Sequence, residues 1–280
     1  MKINDLLIQG TELLKQNGIT TCVLDAQLLL AHYLKVDKLF VINNRKTDLA
    51  EWEGYFDLLS RRAKHEPMAY ILGKKEFMSL DFYVDNNVLI PRPDTETLVE
   101  YVIGVIKNKR VNVLDIGTGS GCIGISVLAN CKHCKVTGLD VSDEALQVAV
   151  RNAENNKVIR RFKTLKCDIL NEVPEGEYNA IVSNPPYIPP KVIETLEDDV
   201  KNFEPYHALY GGEDGFDFYK KISDTGKKIL TDKYLMALEV GHDQGEKVME
   251  ILKKDGYENI TAIKDLAGIL RVVIAHSSKF

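Results

Sequence analysis

No apolar run in this 280-residue chain approaches the ~20 residues of a membrane-crossing helix, so a helical membrane protein is excluded. The opening residues Met1-Lys2-Ile3-Asn4-Asp5 lack the apolar core of a secretory signal, and a cytoplasmic location is expected. A basic excess is missing too. The net charge of -5 has the wrong sign for a chain whose main partner is bulk nucleic acid, though it leaves room for a local basic patch. Cysteine is scarce, five in all, an odd number that fits reduced thiols rather than a disulfide framework. The one cluster, Cys131-Lys132-His133-Cys134, has no second ligand pair, so it reads as a loop with unligated thiols, and no metal is expected. Internal repeats and low-complexity tracts are absent as well. What is present, 45% hydrophobic and 28% charged residues, is the composition of a soluble globular protein. The length suffices for one large or two modest domains.

Residues 1–72 read as a small helical domain of nearly balanced charge. Leu6, Leu7, Leu13 and Leu14 recur at helical spacing, as do Leu24, Leu28, Leu29, His32 and Tyr33. Thr20, Thr21 and Asp48 are candidate N-caps, and Gly18 a candidate stop. Residues 73–93 form a linker. Glu76 to Val84 alternates like a strand or hairpin, Asp85-Asn86-Asn87 supplies turn chemistry, and Pro91 and Pro93 stiffen the approach to a helix near Asp94. Over 94–280 strand and helix patterns alternate. Strands are predicted at Val111–Ile116, Lys135–Leu139, Phe162–Cys167, Ala180–Ser183 and Tyr234–Glu239, with a closing antiparallel pair at Ile260–Lys264 and Leu270–Ala275. Helices between them, such as Cys122–Ala129 and Ser142–Asn155, imply an α/β domain with a mostly parallel, doubly wound sheet.

The most informative stretch is Asn184-Pro185-Pro186-Tyr187. Two prolines remove two backbone donors and fix two φ angles, so the segment is a stiff turn at the end of the strand before it. It presents an Asn oxygen, free carbonyls and an aromatic ring, which suits a planar amino group held by its N–H bonds. An amide or aryl amine is a poor nucleophile because its lone pair is delocalised. The Asn184 oxygen and the Pro185 carbonyl can accept its two N–H bonds, which aligns the nitrogen and favours the positive charge that grows on it. Tyr187 can lie against the flat group. No strong general base is needed.

Val113-Leu114-Asp115-Ile116-Gly117-Thr118-Gly119-Ser120-Gly121 is a strand running into a glycine turn and a helix, and Asp140 ends the next strand, where it can accept ribose hydroxyls. Gly119 to Gly124 matches the literal dinucleotide pattern G-x-G-x-x-G, but counted from Gly117 the third glycine position is Cys122. Asp115 stands where a carboxylate can face a cation, which favours the sulfonium of S-adenosylmethionine over a pyrophosphate. Asp168 and Ile169 follow the next strand. Asp168 can take the adenine amino group or serve as a solvated helix cap, and Ile169 can lie on the ring or be plain core.

Together these features resemble the amino-group methyltransferases, and within them the release factor glutamine methyltransferases (the PrmC/HemK family). The resemblance spans nearly the whole chain. It includes Asp25 to His32, Arg61-Arg62, Glu66-Pro67, Ala69 to Gly73 and Glu76-Phe77. Leu89-Ile90-Pro91-Arg92-Pro93-Asp94-Thr95-Glu96 is its most specific part. Phe203-Glu204-Pro205, Ala208 to Gly212 with Asp214-Gly215, Glu239-Val240-Gly241 with Gln244, and Lys264 to Gly268 with Arg271 complete it. It implies a Rossmann-like S-adenosylmethionine-dependent sheet behind a helical domain that docks the substrate protein. The implied reaction is N5-methylation of the glutamine in the Gly-Gly-Gln motif of bacterial class-1 release factors, by a monomer with no nucleic-acid substrate and no membrane partner. Asn184, Pro185 and Tyr187 would be catalytic, with Pro186 also lining the glutamine site. Asp115, Gly117, Thr118, Gly119, Ser120, Gly121, Asp140, Asp168, Ile169 and Asn184 would hold the cofactor. Ile169 stands where some relatives have an aromatic ring. Arg92 has two readings, a substrate- or carboxylate-binding role and an inter-domain ion pair; Glu96 shares its stretch. The rival reaction is adenine-N6 methylation of DNA or RNA, against which the acidic balance and the neutral helical domain both count. An NAD-linked oxidoreductase is disfavoured by Cys122, and a non-catalytic adaptor by the intact turns.

Overall fold

A computed structural model describes every residue except Leu266 and Lys279, so Leu266, within the family-like stretch Lys264 to Gly268, lies outside the described residues. The chain divides into two units, Met1–Lys74 with Glu197–Phe203, and Lys75–Leu196 with Glu204–Phe280. No helix among the described residues is long and apolar enough to cross a membrane.

The first unit is built on α1 (Ile3–Gln16), α2 (Cys22–Leu34), α3 (Lys38–Asn43), α4 (Glu53–Ala63) and α5 (Met68–Leu72). Ile3, Leu6, Leu7, Gly10 and Leu14 put one apolar stripe of α1 into the core. Gly18, at φ +78°, ends that helix: its N–H bonds Lys15 O, and the Ile19 N–H bonds Leu14 O. The buried face of α2 is rotated from the predicted one. Asp25, Ala26, Leu29 and Leu30 go inside while Leu24 is exposed, because buried Asp25 pairs with Arg62 at 2.8 Å and accepts from the Thr21 hydroxyl at 2.8 Å. Asp48 caps nothing. It bridges Lys2, and the next helix starts at Glu53, while the unforeseen Asp37 caps α3 by accepting the Phe40 N–H.

The second unit opens with a hairpin, β1 (Lys75–Phe77) and β2 (Leu80–Phe82). Its turn is Met78-Ser79, both at positive φ (51° and 58°), the handedness that matches the twist of paired strands. Glu96 steadies this unusual non-glycine turn by accepting the Met78 N–H at 2.7 Å. Asp85 to Val88 forms a second turn, with the Asp85 carboxylate accepting the Asn87 N–H.

The sheet comprises β3 (Asn112–Ile116), β4 (Lys135–Asp140), β5 (Phe162–Lys166), β6 (Tyr178–Ser183), β7 (Leu230–Glu239), β8 (Thr261–Lys264) and β9 (Leu270–His276). Their order is β5-β4-β3-β6-β7-β9-β8, and all neighbours are parallel except β9, which runs antiparallel to both β7 and β8. Strand parity sorts the side chains into two cores. Val113, Val136, Ala180 and Val182 face α6 (Glu96–Ile106), α7 (Cys122–Asn130) and α8 (Asp143–Asn155). Leu114, Ile116, Leu139 and Ile181 face α9 (Asp217–Ile229) and α10 (Gly245–Lys254).

From β3 the chain winds outward to β4 and β5, then returns to place β6 on the other side of β3. That reversal leaves a crevice at the carboxyl ends of β3 and β6, where open α/β sheets bind ligands. The pairing of Ile116 with Ser183 sets Gly117 and Asn184 side by side at its mouth.

Candidate active site

A cavity of about 300 Å³ opens at this crevice. Gly117 and Gly119 line it with bare backbone, and Asn184, Pro185 and Pro186 line it from the neighbouring strand end. Ile116, Leu139, Ile169 and Phe218 supply apolar surface. Among the described residues its wall carries three carboxylates, Asp140, Asp168 and Asp217, and no lysine or arginine. Such a wall attracts a cation and repels a pyrophosphate.

The glycine turn is held by bonds to its backbone. Thr118 N–H donates to Leu139 O at 2.9 Å and Gly119 N–H to Asp140 Oδ2 at 2.9 Å. Asn152 of α8 donates to Ser120 O at 2.9 Å, and the same amide exchanges hydrogen bonds with the backbone of Tyr83. Gly121 sits at φ +80°, and a Cβ there would come within 2.7 Å of Ile125 Cδ1, so only glycine fits.

Four residues expected at the cofactor do not line the cavity. Thr118, Ser120 and Gly121 shape the turn from behind. Asp115 is fully buried. Its Oδ2 accepts the Thr118 hydroxyl at 2.7 Å and the Gly124 N–H at 3.1 Å, while Oδ1 has no partner. Burial pushes its carboxyl up to about 6, against the pull of those two donors. The reason is strand parity: Asp115 points to the same face as Val113, under α7, and not along the strand axis into the crevice.

Asp140, Asp168 and Ile169 are where the expected contacts need them, on the cavity wall. Asp140 accepts one backbone N–H on each oxygen, from Gly119 and Ser142, which leaves a second lone pair on each. Asp168 caps its own turn through Leu170 N–H and Asn171 Nδ2, as one of its two sequence readings expects, and it also borders the cavity.

The Asn184 turn is braced on several sides. Asn184 Nδ2 donates to Thr95 Oγ1 at 3.3 Å, and no protein donor among the described residues reaches its Oδ1. Ser183 Oγ ties the strand end to Ile116 O at 2.7 Å. Beyond the prolines, Ile188 pairs with Tyr210 through Ile188 N–H to Leu209 O and Gly211 N–H to Ile188 O. Gly211 is required there, since a Cβ would lie 2.4 Å from Tyr187 Cα. Gln244 donates to Tyr187 O at 3.0 Å and to Gly215 O at 3.2 Å, and its Oε1 accepts the Gly241 N–H.

The half-buried Tyr187 ring packs against the α9–α10 core and does not line the cavity. Burial and nearby Glu239 push its phenol up to about 12. Arg92 pairs with buried Glu204, which also accepts the Ile90 N–H; both ends of the pair belong to the second unit, so it is not an inter-domain bond. Arg271 joins Asp94 and Asp265, each at 2.9 Å. Glu239, at the end of β7, is buried beside Thr95 with Oε2 unpartnered. Burial raises its carboxyl to about 7, opposed by the Thr95 hydroxyl, Arg271 and Arg92. Sequence reasoning attached no chemistry to Thr95, Gln244 or Gly211, although all three lie in family-like stretches, and it missed Asp217 and Phe218, which carry no motif.

Comparison with known proteins adds independent findings. Residues 94–197 match the family model "Methyltransferase small domain" and residues 5–73 match "PrmC N-terminal domain". The chain is 42% identical to the "Release factor glutamine methyltransferase" of Clostridium acetobutylicum, over 98% of each chain. It is 37% identical to the protein of that name from Thermodesulfovibrio yellowstonii, over 94% of this chain and 95% of the other. A solved methyltransferase from Pyrococcus furiosus, 22% identical, covers 81% of this chain and 98% of its own with a TM-score of 0.54, a likeness of fold.

Proposed function

The chain belongs to the release factor glutamine methyltransferase family, and from that premise we propose that it transfers a methyl group from S-adenosylmethionine to the N5 amide nitrogen of the glutamine in the Gly-Gly-Gln motif of class-1 peptide chain release factors. The observation that carries this reading is the Asn184 turn, stiffened by two prolines, with an unclaimed side-chain oxygen on the wall of a carboxylate-lined cavity.

The cavity suits the methyl donor. Gly117 and Gly119 allow close approach, Asp140 has lone pairs for ribose hydroxyls, and Asp168 with Ile169 offers an acceptor and a flat apolar contact for adenine. S-adenosylmethionine supplies an electrophilic methyl group on a positively charged sulfur, which the three carboxylates favour by charge. Asp115, Thr118, Ser120 and Gly121 act one layer behind, holding the turn in shape.

Asn184 Oδ1 and the Pro185 carbonyl accept the two N–H bonds of the glutamine amide, which holds the nitrogen in line for displacement. Both acceptors oppose the positive charge that develops on nitrogen, and neither reorganises, because the prolines and Gln244 lock the backbone. The proton leaves after transfer, when the nitrogen has become acidic. Pro186 closes the slot, and Tyr187 anchors the turn into the core.

The test is to incubate the protein with methyl-labelled S-adenosylmethionine and purified unmethylated release factor, then map the label by mass spectrometry. Label on the Gly-Gly-Gln glutamine is expected. Label on nucleic acid alone, or none, overturns the proposal.

A further inference from the structure

We infer that Thr95 and Glu239 are positioning residues that fix which face of the Asn184 amide meets the substrate and strengthen its oxygen as an acceptor. The inference rests on the reading that Asn184 holds the glutamine amide.

The geometry begins with strand register. Ser183 pairs with Leu238, so Asn184 and Glu239 leave the ends of adjacent strands together. Thr95 reaches the same point from the tight turn Pro93–Thr95 that opens α6, where its N–H bonds Arg92 O at 3.1 Å. Thr95 and Glu239 are 2% and 3% exposed, so water cannot substitute for either. Neither lines the cavity, and each acts through Asn184.

A hydroxyl has one proton and two lone pairs. We assign that proton to the buried Glu239 carboxylate, the anion beside Thr95, which leaves only lone pairs for Asn184. Asn184 must then present Nδ2, as the 3.3 Å contact shows, and its Oδ1 is left for the substrate. A flipped amide would point N–H donors at the glutamine N–H groups and repel them. The chain also carries charge, since an amide whose N–H donates toward an anion has a more negative oxygen.

Glu239 is the charged end of that chain. The groups facing it are Arg92, Asp94 and Thr95 from the segment before α6, Arg271 from β9, Tyr187 from the turn, Tyr219 from α9 and Cys122 at the start of α7. The Tyr219 hydroxyl donates to the Glu239 backbone oxygen at 2.9 Å and not to its carboxylate. With the carboxyl raised by burial to about 7, protonation near neutral pH removes the anion. The rate of methyl transfer therefore rises as pH increases through about 7.

The experiment compares single-turnover rates across pH for the wild type, Thr95→Val, Thr95→Ser, Glu239→Gln and Asn184→Ala, with S-adenosylmethionine affinity measured calorimetrically on each. Thr95→Val, which keeps the shape, is expected to slow transfer about 100-fold with cofactor affinity unchanged. Thr95→Ser is expected to recover most of the rate. Glu239→Gln is expected to slow transfer about tenfold and to flatten the limb near pH 7, a readout that loss of packing alone does not move. If Asn184→Ala abolishes transfer while Thr95→Val and Glu239→Gln keep the wild-type rate and pH profile, this inference fails and the amide-holding role of Asn184 stands. If Asn184→Ala transfers at the wild-type rate, both fail.

Discussion

Two turns meet at the carboxyl ends of β3 and β6, and they are built on opposite principles. The first, Gly117 to Gly121, has three glycines at positive φ and takes its shape from bonds made by its surroundings to its backbone. The second, Asn184 to Tyr187, is made of residues with little backbone freedom and offers acceptors. The contrast teaches what each must do. In the proposed reaction, a turn that lets a large ligand approach bare backbone must shed side chains, and a turn that aligns one nitrogen must not move. Gly117 illustrates how close the two lie: a Cβ added to it would sit 3.9 Å from Asn184 O.

The contrast can be broken at either turn. The largest effect is expected at the stiff one, where Asn184→Ala should lower kcat about 100- to 1,000-fold while leaving cofactor affinity nearly intact. Parallel loss of affinity in titration calorimetry would instead make Asn184 part of the cofactor site. The glycine turn should respond in the opposite sense. Gly121→Ala forces a Cβ into Ile125 at a left-handed φ and should cost about 2–4 kcal/mol of stability in denaturant unfolding. Unchanged stability would mean that the turn does not need its glycine backbone.

The smallest effect sharpens the picture beneath the glycine turn. Burial is the main cause that raises the Asp115 carboxyl in the folded protein to about 6, from the ordinary aspartate value of 3.8. Its contribution to stability is therefore full below pH 3.8 and is lost as pH rises through about 6. Asp115→Asn carries no charge and escapes that loss. It should gain about 1–3 kcal/mol over the wild type at pH 8 and little at about pH 3.5, read from melting curves at both values. A gain of equal size at both pH values would assign the effect to packing.

The elements themselves were legible because their signals are local. Every predicted strand of the sheet is present to within a few residues, since apolar runs between turn residues persist in any packing. Both turns were legible for the same reason: prolines and clustered glycines restrict or free the backbone wherever they occur. The errors fall where side-chain direction matters. Asp115 was placed against a ligand because it precedes the glycines, but its parity sends it under α7. The face of α2 was misjudged because the partner of Asp25 is Arg62, 37 residues away. The hairpin turn at Met78-Ser79 has no turn-forming residue type to announce it, and depends on Glu96.

Composition, periodicity and two short motifs determined by themselves that this is an α/β protein that follows a helical segment, with a glycine turn and a stiff Asn-Pro-Pro-Tyr turn. Only tertiary structure decided that β6 returns beside β3, which makes those turns one site. It also chose which carboxylates face the cavity, Asp140, Asp168 and Asp217 in place of Asp115, and it put Glu239 and Thr95 behind Asn184. The physical reason is range. Backbone conformation is set by neighbours in the chain, whereas charge and hydrogen-bond direction are set by neighbours in space, which strand order and parity alone assign.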